Sequence, residues 1–164
     1  QRELIRLQML LKDTSRGGRF TPADNFHITL HFIGESGDLS GAALAVEEAV
    51  RGIRPFALHL GRISGFARKE GYTAYVQVLG QLEELNALYE SLQAALQEQG
   101  FPREQRAYVP HITLGRGVGL GAADLAALGE VPANASMQVQ EITLFESQRQ
   151  GRGMVYLPLH RARI

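Results

Sequence analysis

Four consecutive residues, His27, Ile28, Thr29 and Leu30, return unchanged as His111, Ile112, Thr113 and Leu114, an offset of 84 positions (111 − 27). Side chains in a strand alternate between its two faces, so each copy turns isoleucine and leucine one way and histidine and threonine the other. A face packed into a core selects apolar groups, because a buried polar group without a partner is costly. A face turned to water has little reason to specify His-x-Thr, and still less to specify it twice. One copy alone reads as a solvated strand face. The pair, in matching surroundings, requires a fold that brings two distant half-buried strands together as halves of one site.

The elements around the repeat are legible from periodicity. Leu4, Leu7 and Leu11 recur at intervals of three and four and predict a helix that Asp13 to Gly18 breaks. Phe26, Ile28, Leu30 and Phe32 alternate with His27, Thr29 and His31, which predicts a strand from Phe26 to Phe32. Asp38 or Ser40 caps a short helix through Val50, with Gly52 as its terminator. Phe56 to Ile63 and Thr73 to Leu79 read as a strand pair joined by a longer loop from Gly65 to Gly71. Gln81 to Gln99 is the strongest helix, with Leu82, Leu85, Leu88, Leu92 and Leu96 in one stripe and Gly100 at its stop position. Tyr108 to Leu114 reads as strand and Ala122 to Leu128 as a weaker helix. Two strands follow, Met137 to Phe145 and Met154 to His160, with Pro158 placing the last at an edge. The order helix, strand, helix, strand, strand occurs twice, so residues 1–164 are expected to form one bilobal domain of two similar lobes, each carrying one His-x-Thr motif.

Composition narrows the function classes. The 17 basic and 17 acidic side chains cancel, so no long-range positive field holds the chain on nucleic acid, and any such contact is local. Only Lys12 and Lys69 are lysine, leaving 15 arginines (17 − 2), whose planar fork suits phosphate. The absence of cysteine removes thiolate nucleophiles, disulfides and cysteine-zinc sites. No apolar run approaches the roughly 20 residues that span a bilayer, and nothing at the start reads as a signal peptide. A cytoplasmic, monomeric protein is expected.

Displacement at phosphorus needs one group to take a proton from the attacking oxygen and another to give one to the departing oxygen. Imidazoles, with an ordinary pKa of about 6.5, serve both ends, and each such role supplies roughly 10² to 10⁴ in rate. Threonine hydroxyls can donate to the non-bridging oxygens. His27 and His111 are the candidate catalytic residues, and Thr29 and Thr113 the candidate phosphate-binding ones. No metal or other cofactor is expected: neither motif has helical His-x-x-x-His spacing, and no neighbouring carboxylate completes a ligand set.

The stretches NFHITLHFIGE and YVPHITLGR, with the weaker ITLFES and the later Tyr156, resemble the two-histidine phosphoesterase superfamily. The closer resemblance is to the bacterial and archaeal RNA 2′,3′-cyclic phosphodiesterases long described as 2′,5′ RNA ligases. It runs over nearly the whole chain. It implies a bilobal α+β, LigT-like fold in which two antiparallel sheets with outer helices face across a central cleft, each sheet contributing one motif. It also implies opening of a 2′,3′-cyclic phosphate to a 2′-phosphate, with RNA ends or small cyclic nucleotides as substrate, and in some members reversible 2′,5′ joining. One of His27 and His111 would then protonate the 3′ oxygen while the other activates water.

Arg116 matches an arginine that the family places near the phosphate. By alternation it points away from His111, so the strand must end or bulge near Gly115. His31, by parity, falls on the site face as a solvated rim residue. Phe66, Tyr72 and Tyr75 are the aromatics available for base stacking, with core packing expected of Tyr75, and Arg19, Arg106 and Arg149 the arginines for flanking phosphates. The family ordinarily begins with a strand that this sequence, opening at Gln1 without methionine, does not contain, and the native protein is expected to have it. The readings that compete are a non-catalytic RNA-end-binding module and a phosphodiesterase acting on 2′,5′ oligonucleotides or ADP-ribose cyclic phosphate.

Overall fold

A computed structural model describes residues 1–151 and 153–164 of the chain. Among the described residues there are four α-helices and seven strands, in an α+β arrangement. They are α1 (Arg2–Thr14), β1 (Arg19–Phe20), α2 (Leu39–Ala49), β2 (Phe56–Arg68), β3 (Gly71–Gly80), α3 (Leu82–Glu98), β4 (His111–Val118), α4 (Ala122–Gly129), β5 (Ser136–Val139), β6 (Glu141–Gln150) and β7 (Gly153–Arg163). No helix among these is long and apolar enough to cross a membrane.

The chain divides into two compact units, each assembled from three separate segments. The first comprises residues 1–29, 59–80 and 109–136, and the second residues 30–58, 81–108 and 137–164. The units therefore interleave along the sequence and are not its two halves. Both His-x-Thr motifs belong to the first unit, where one in each lobe was expected.

The first unit is organised on the sheet with strand order β1-β4-β3-β2-β5. Its core gathers Leu7 and Leu11 of α1, Ile63, Ala74, Val76, Ile112, Leu114, Val118 and Leu128. The Leu4, Leu7, Leu11 stripe is buried as its spacing dictates. Gln8, one turn along from Leu4, is buried beside that stripe. Its amide donates to the carbonyls of Thr21 (2.7 Å) and Leu114 (2.8 Å), tying the helix to β4 and to the chain running along β4's edge. β2 and β3 form a longer hairpin than predicted, closing on Lys69 and Glu70 rather than on a loop from Gly65. A Cβ at Gly65 would lie 2.9 Å from Tyr72 Cδ1, so that glycine marks a close approach between strands and not a turn.

The second unit packs α2 and α3 with the β6-β7 hairpin around Ala45, Ala49, Leu88, Leu92, Leu96, Ile142 and Ala162. Asp38 caps α2 by accepting from the Gly41 N–H at 2.8 Å, and Gly52 beyond it has φ +76°, the left-handed conformation a glycine terminator supplies. Pro158 of β7 pairs with Phe145 beside a register irregularity, in a two-stranded sheet where each strand has a free edge. The predicted strand from Met137 to Phe145 is two strands, broken at Gln140: β5 joins the first unit's sheet and β6 the hairpin.

Candidate active site

The predicted strand from Phe26 to Phe32 is corrected. After the 3-10 turn Ala23–Asn25 the chain is extended but, among the described residues, makes only one antiparallel bridge, between Ile28 and Ile112. The alternation of burial holds as far as Leu30 and then reverses, leaving His31 half-buried and Phe32 76% exposed. The second motif is a true strand, β4, but it begins at His111 rather than Tyr108, since Pro110 has no N–H to continue the ladder.

That single bridge positions the four candidate residues. With Ile28 against Ile112 in antiparallel register, His27 stands opposite Thr113 and Thr29 opposite His111. Directly opposed side chains are about 4.5–5.5 Å apart at Cβ and diagonal ones roughly 7–8 Å apart. The two histidines therefore occupy one diagonal of a small rectangle and the two threonines the other. Ile112 turns into the core at 4% exposure, so the rectangle lies on the opposite face of β4. The expectation that each of two sheets contributes one motif is thereby replaced: the motifs are neighbours on one sheet's edge.

Each imidazole is held the same way. His27 Nδ1 lies 2.7 Å from the Asn25 carbonyl oxygen and His111 Nδ1 2.7 Å from that of Val109. A carbonyl only accepts, so Nδ1 carries the proton and donates it, and exchange with a substrate falls to Nε2. His111 is further fixed by rings: Tyr75, paired with Thr113 across the ladder and 7% exposed, lies 5.1 Å from it, and Phe66 meets it edge-on at 5.5 Å. Phe66 stacks on Tyr75 at 4.5 Å and carries the Arg68 guanidinium 5.4 Å above it. Tyr72, paired with Val118, turns to the core face instead. The carbonyls of Asn25 and Val109 and the packing of Phe66 and Tyr75 against His111 are features that sequence reasoning did not find. The first had a signal in the shared offset of two residues before each histidine.

The condition on Arg116 is met in the strand. Tyr75 pairs with Thr113 but Ala74 with Gly115, so β4 carries an extra residue at Leu114 and Gly115, both buried. The bulge puts Leu114 and Gly115 on the core face in succession and returns the exposed Arg116 to the face of His111 and Thr113. Arg19 of β1 pairs directly with Arg116. The other predicted residues lie in the second unit. His31, expected as a solvated rim residue, accepts a hydrogen bond at Nδ1 from the fully buried Gln93 (2.8 Å). Burial pushes its pKa below the ordinary value, against a smaller opposing pull from the Glu104 carboxylate. Arg106 is engaged by Glu104 at 2.7 Å, and Arg149 sits near the end of β6. Among the described residues no three His, Cys, Asp or Glu side chains cluster as a metal site would need.

Such a face, with two oriented imidazoles and two hydroxyls on neighbouring chain segments, is suited to moving protons at a phosphate. Comparison with known proteins agrees in kind. The family described as the 2′-5′ RNA ligase superfamily matches residues 6–151. The RNA 2′,3′-cyclic phosphodiesterase of Methanothermobacter thermautotrophicus is 32% identical over 158 residues, covering 92% of this chain and 85% of that protein. The protein of the same description from Aeropyrum pernix is 30% identical over 165 residues, covering 96% and 92%. Among solved structures, E. coli LigT complexed with 3′-AMP superposes with a TM-score of 0.78 at 24% identity, covering 99% of this chain and 91% of that one. A Thermus thermophilus protein, TT0787, superposes with a TM-score of 0.75 at 22% identity, covering 98% and 88%, so the fold is shared. The chain belongs to the 2′-5′ RNA ligase superfamily, the two-histidine phosphoesterases its paired motifs point to.

Proposed function

We propose that the protein is a metal-independent RNA 2′,3′-cyclic phosphodiesterase that opens a terminal cyclic phosphate to a 2′-phosphate, with reversible 2′,5′ joining of RNA ends as the same displacement when a 5′-hydroxyl takes the place of water. The observation that carries the reading is the Ile28–Ile112 register, which sets His27 and His111 at opposite corners with Thr29 and Thr113 between them. Diagonal imidazoles suit an in-line displacement, where attacking and departing oxygens lie on opposite sides of phosphorus. The neutral imidazole takes a proton from water as its oxygen bonds to phosphorus. The P–O3′ bond breaks, and the imidazolium gives its proton to O3′. Thr29 and Thr113 donate to the non-bridging oxygens, and Arg116 adds positive charge along the same face.

The descriptions of the two relatives support the substrate class. The reading carries with it a cytoplasmic, monomeric enzyme acting on RNA ends or small cyclic nucleotides. Its test is hydrolysis of a nucleoside 2′,3′-cyclic phosphate in excess chelator, with the product identified by phosphorus NMR. Turnover to the 2′-phosphate is expected. Turnover restored only by added metal, or a 3′-phosphate product, overturns the mechanism. Binding of cyclic-phosphate RNA with no product leaves an RNA-end-binding module instead.

A further inference from the structure

Resting on that reading, we propose that Arg19 and Arg116 together form a second anion subsite, which grips a phosphodiester next to the scissile phosphate and favours oligonucleotide ends over mononucleotides. Arg19 stands directly opposite Arg116 between β1 and β4, and Phe20 opposite Gly115. Phe20 faces α1, because Lys12 Nζ of that helix lies 5.2 Å from its ring and a Cβ on Gly115 would meet Phe20 Cδ1 at 3.1 Å. Alternation then turns Arg19 to the other side, and the bulge at Leu114 and Gly115 turns Arg116 there as well. Both guanidinium groups stand on the face that bears His111 and Thr113.

Two like charges directly opposed across a strand pair are destabilising, so stability gives no reason for this pairing. Counter-charge from the protein is slight. Glu70 lies 3.8 Å from Arg19, with the two side chains 77% and 76% exposed, and a pair so open to water is worth little. Among the described residues Arg116 has no ion pair. A bridging anion resolves the repulsion, and planar forks suit phosphate.

The position also fits. Arg116 is three residues beyond Thr113, about 10 Å along the strand, so the pair extends positive charge along β4 beyond the rectangle. In a chain whose net charge is +0, a local pair of this kind supplies attraction that no global field does.

The experiment compares adenosine 2′,3′-cyclic phosphate with the dinucleotide ApA ending in a 2′,3′-cyclic phosphate, on the parent, Arg19→Gln and Glu70→Gln. Arg19→Gln is expected to lower kcat/KM for the dinucleotide about tenfold, mostly through KM, and to leave the mononucleotide within about twofold. Glu70→Gln, which removes the competing carboxylate, should move the dinucleotide the other way. Affinity for the dinucleotide 2′-phosphate product is measured against salt in parallel, and Arg19→Gln should flatten the log–log slope by about 0.7, one single-strand phosphate contact. Equal losses on both substrates, or none on either, overturn the subsite. Should neither substrate turn over, the enzymatic reading has failed, and the product-binding slope still decides the subsite: an unchanged slope refutes it and a flattened one upholds it.

Discussion

Replacing Gln93 with leucine tests whether one buried amide organises the loop that leaves the first motif. Gln93 is fully buried in α3, donates through Nε2 to His31 Nδ1 at 2.8 Å and accepts the Glu104 N–H at 3.0 Å. Leucine has nearly the same volume and makes neither bond. A hydrogen bond contributes about 0.5–1.5 kcal/mol net, and a partner left dry costs roughly 1–3 kcal/mol. Both partners are only half-buried, so water relieves part of that cost, and the better burial of leucine offsets another part. A loss of about 2 kcal/mol remains, a fall in Tm of roughly 4–8 °C for a chain of this size. Urea unfolding followed by far-UV circular dichroism at pH 7.5 measures it, as the chain has no tryptophan. The same group has a pH signature. Burial holds the folded His31 pKa below the ordinary value of about 6.5, so its neutral form is native and the unfolded chain binds the extra proton. Its contribution is intact above pH 6.5 and is lost as pH falls below that value toward the depressed folded one. His31→Gln should flatten the acid limb of the stability profile below about pH 6.5 relative to the parent. A Gln93→Leu loss under about 0.5 kcal/mol, or a His31→Gln profile parallel to the parent's, would refute the account.

Three further outcomes follow from the same geometry. His27→Ala and His111→Ala should each lower kcat by about 10² to 10⁴ without changing the far-UV spectrum, and the double variant should fall little below the worse single one, as the proposed displacement by two groups acting together requires. Fully multiplicative losses in single-turnover assays would mean that the histidines act separately. Leu7→Ala empties a fully buried position under the sheet and should cost about 2–5 kcal/mol in urea unfolding while sparing KM. Gly117→Ala places a side chain at φ +60°, with only ordinary contacts at 3.5 Å to the Glu70 carbonyl oxygen and 3.8 Å to Arg19. The penalty there is conformational, about 1 kcal/mol, and kcat/KM should drop with it, because Gly117 lies next to Arg116 at the second register irregularity of β4, between Gly115 and Val118.

Helices were legible because their signals are local. The leucine stripes of α1 and α3, the Asp38 cap and the glycines at 52 and 100 stand where their spacing puts them. The break at Gln140 is also written in the sequence, although β-rich composition alone reads the run as one strand. Apolar residues fall on odd positions at Met137 and Val139 and on even ones at Ile142 and Leu144, a parity change no continuous strand survives. Gly65 misled for the opposite reason. Glycine signals a turn and a close strand crossing equally, and only the neighbour decides; here that neighbour is Tyr72.

The site itself shows which information a single sequence lacks. Alternation from Phe26 to Phe32 identifies the face on which His27 and Thr29 stand, but nothing in those residues names the strand they meet. The structure supplies the partner, and the partner changes the chemistry. Were the two motifs paired in parallel with Ile28 beside Ile112, histidine would lie beside histidine and both would approach a phosphate from one side. Antiparallel pairing at the same bridge exchanges the ends of one motif, so the histidines fall on a diagonal with threonines on the other. A slip of one residue would be worse, since a side-chain period of two sends His27 and Thr29 out of line with the face of His111 and Thr113. A single backbone register thus decides whether two copies of His-x-Thr stand opposite one another on one face or as two unrelated polar patches.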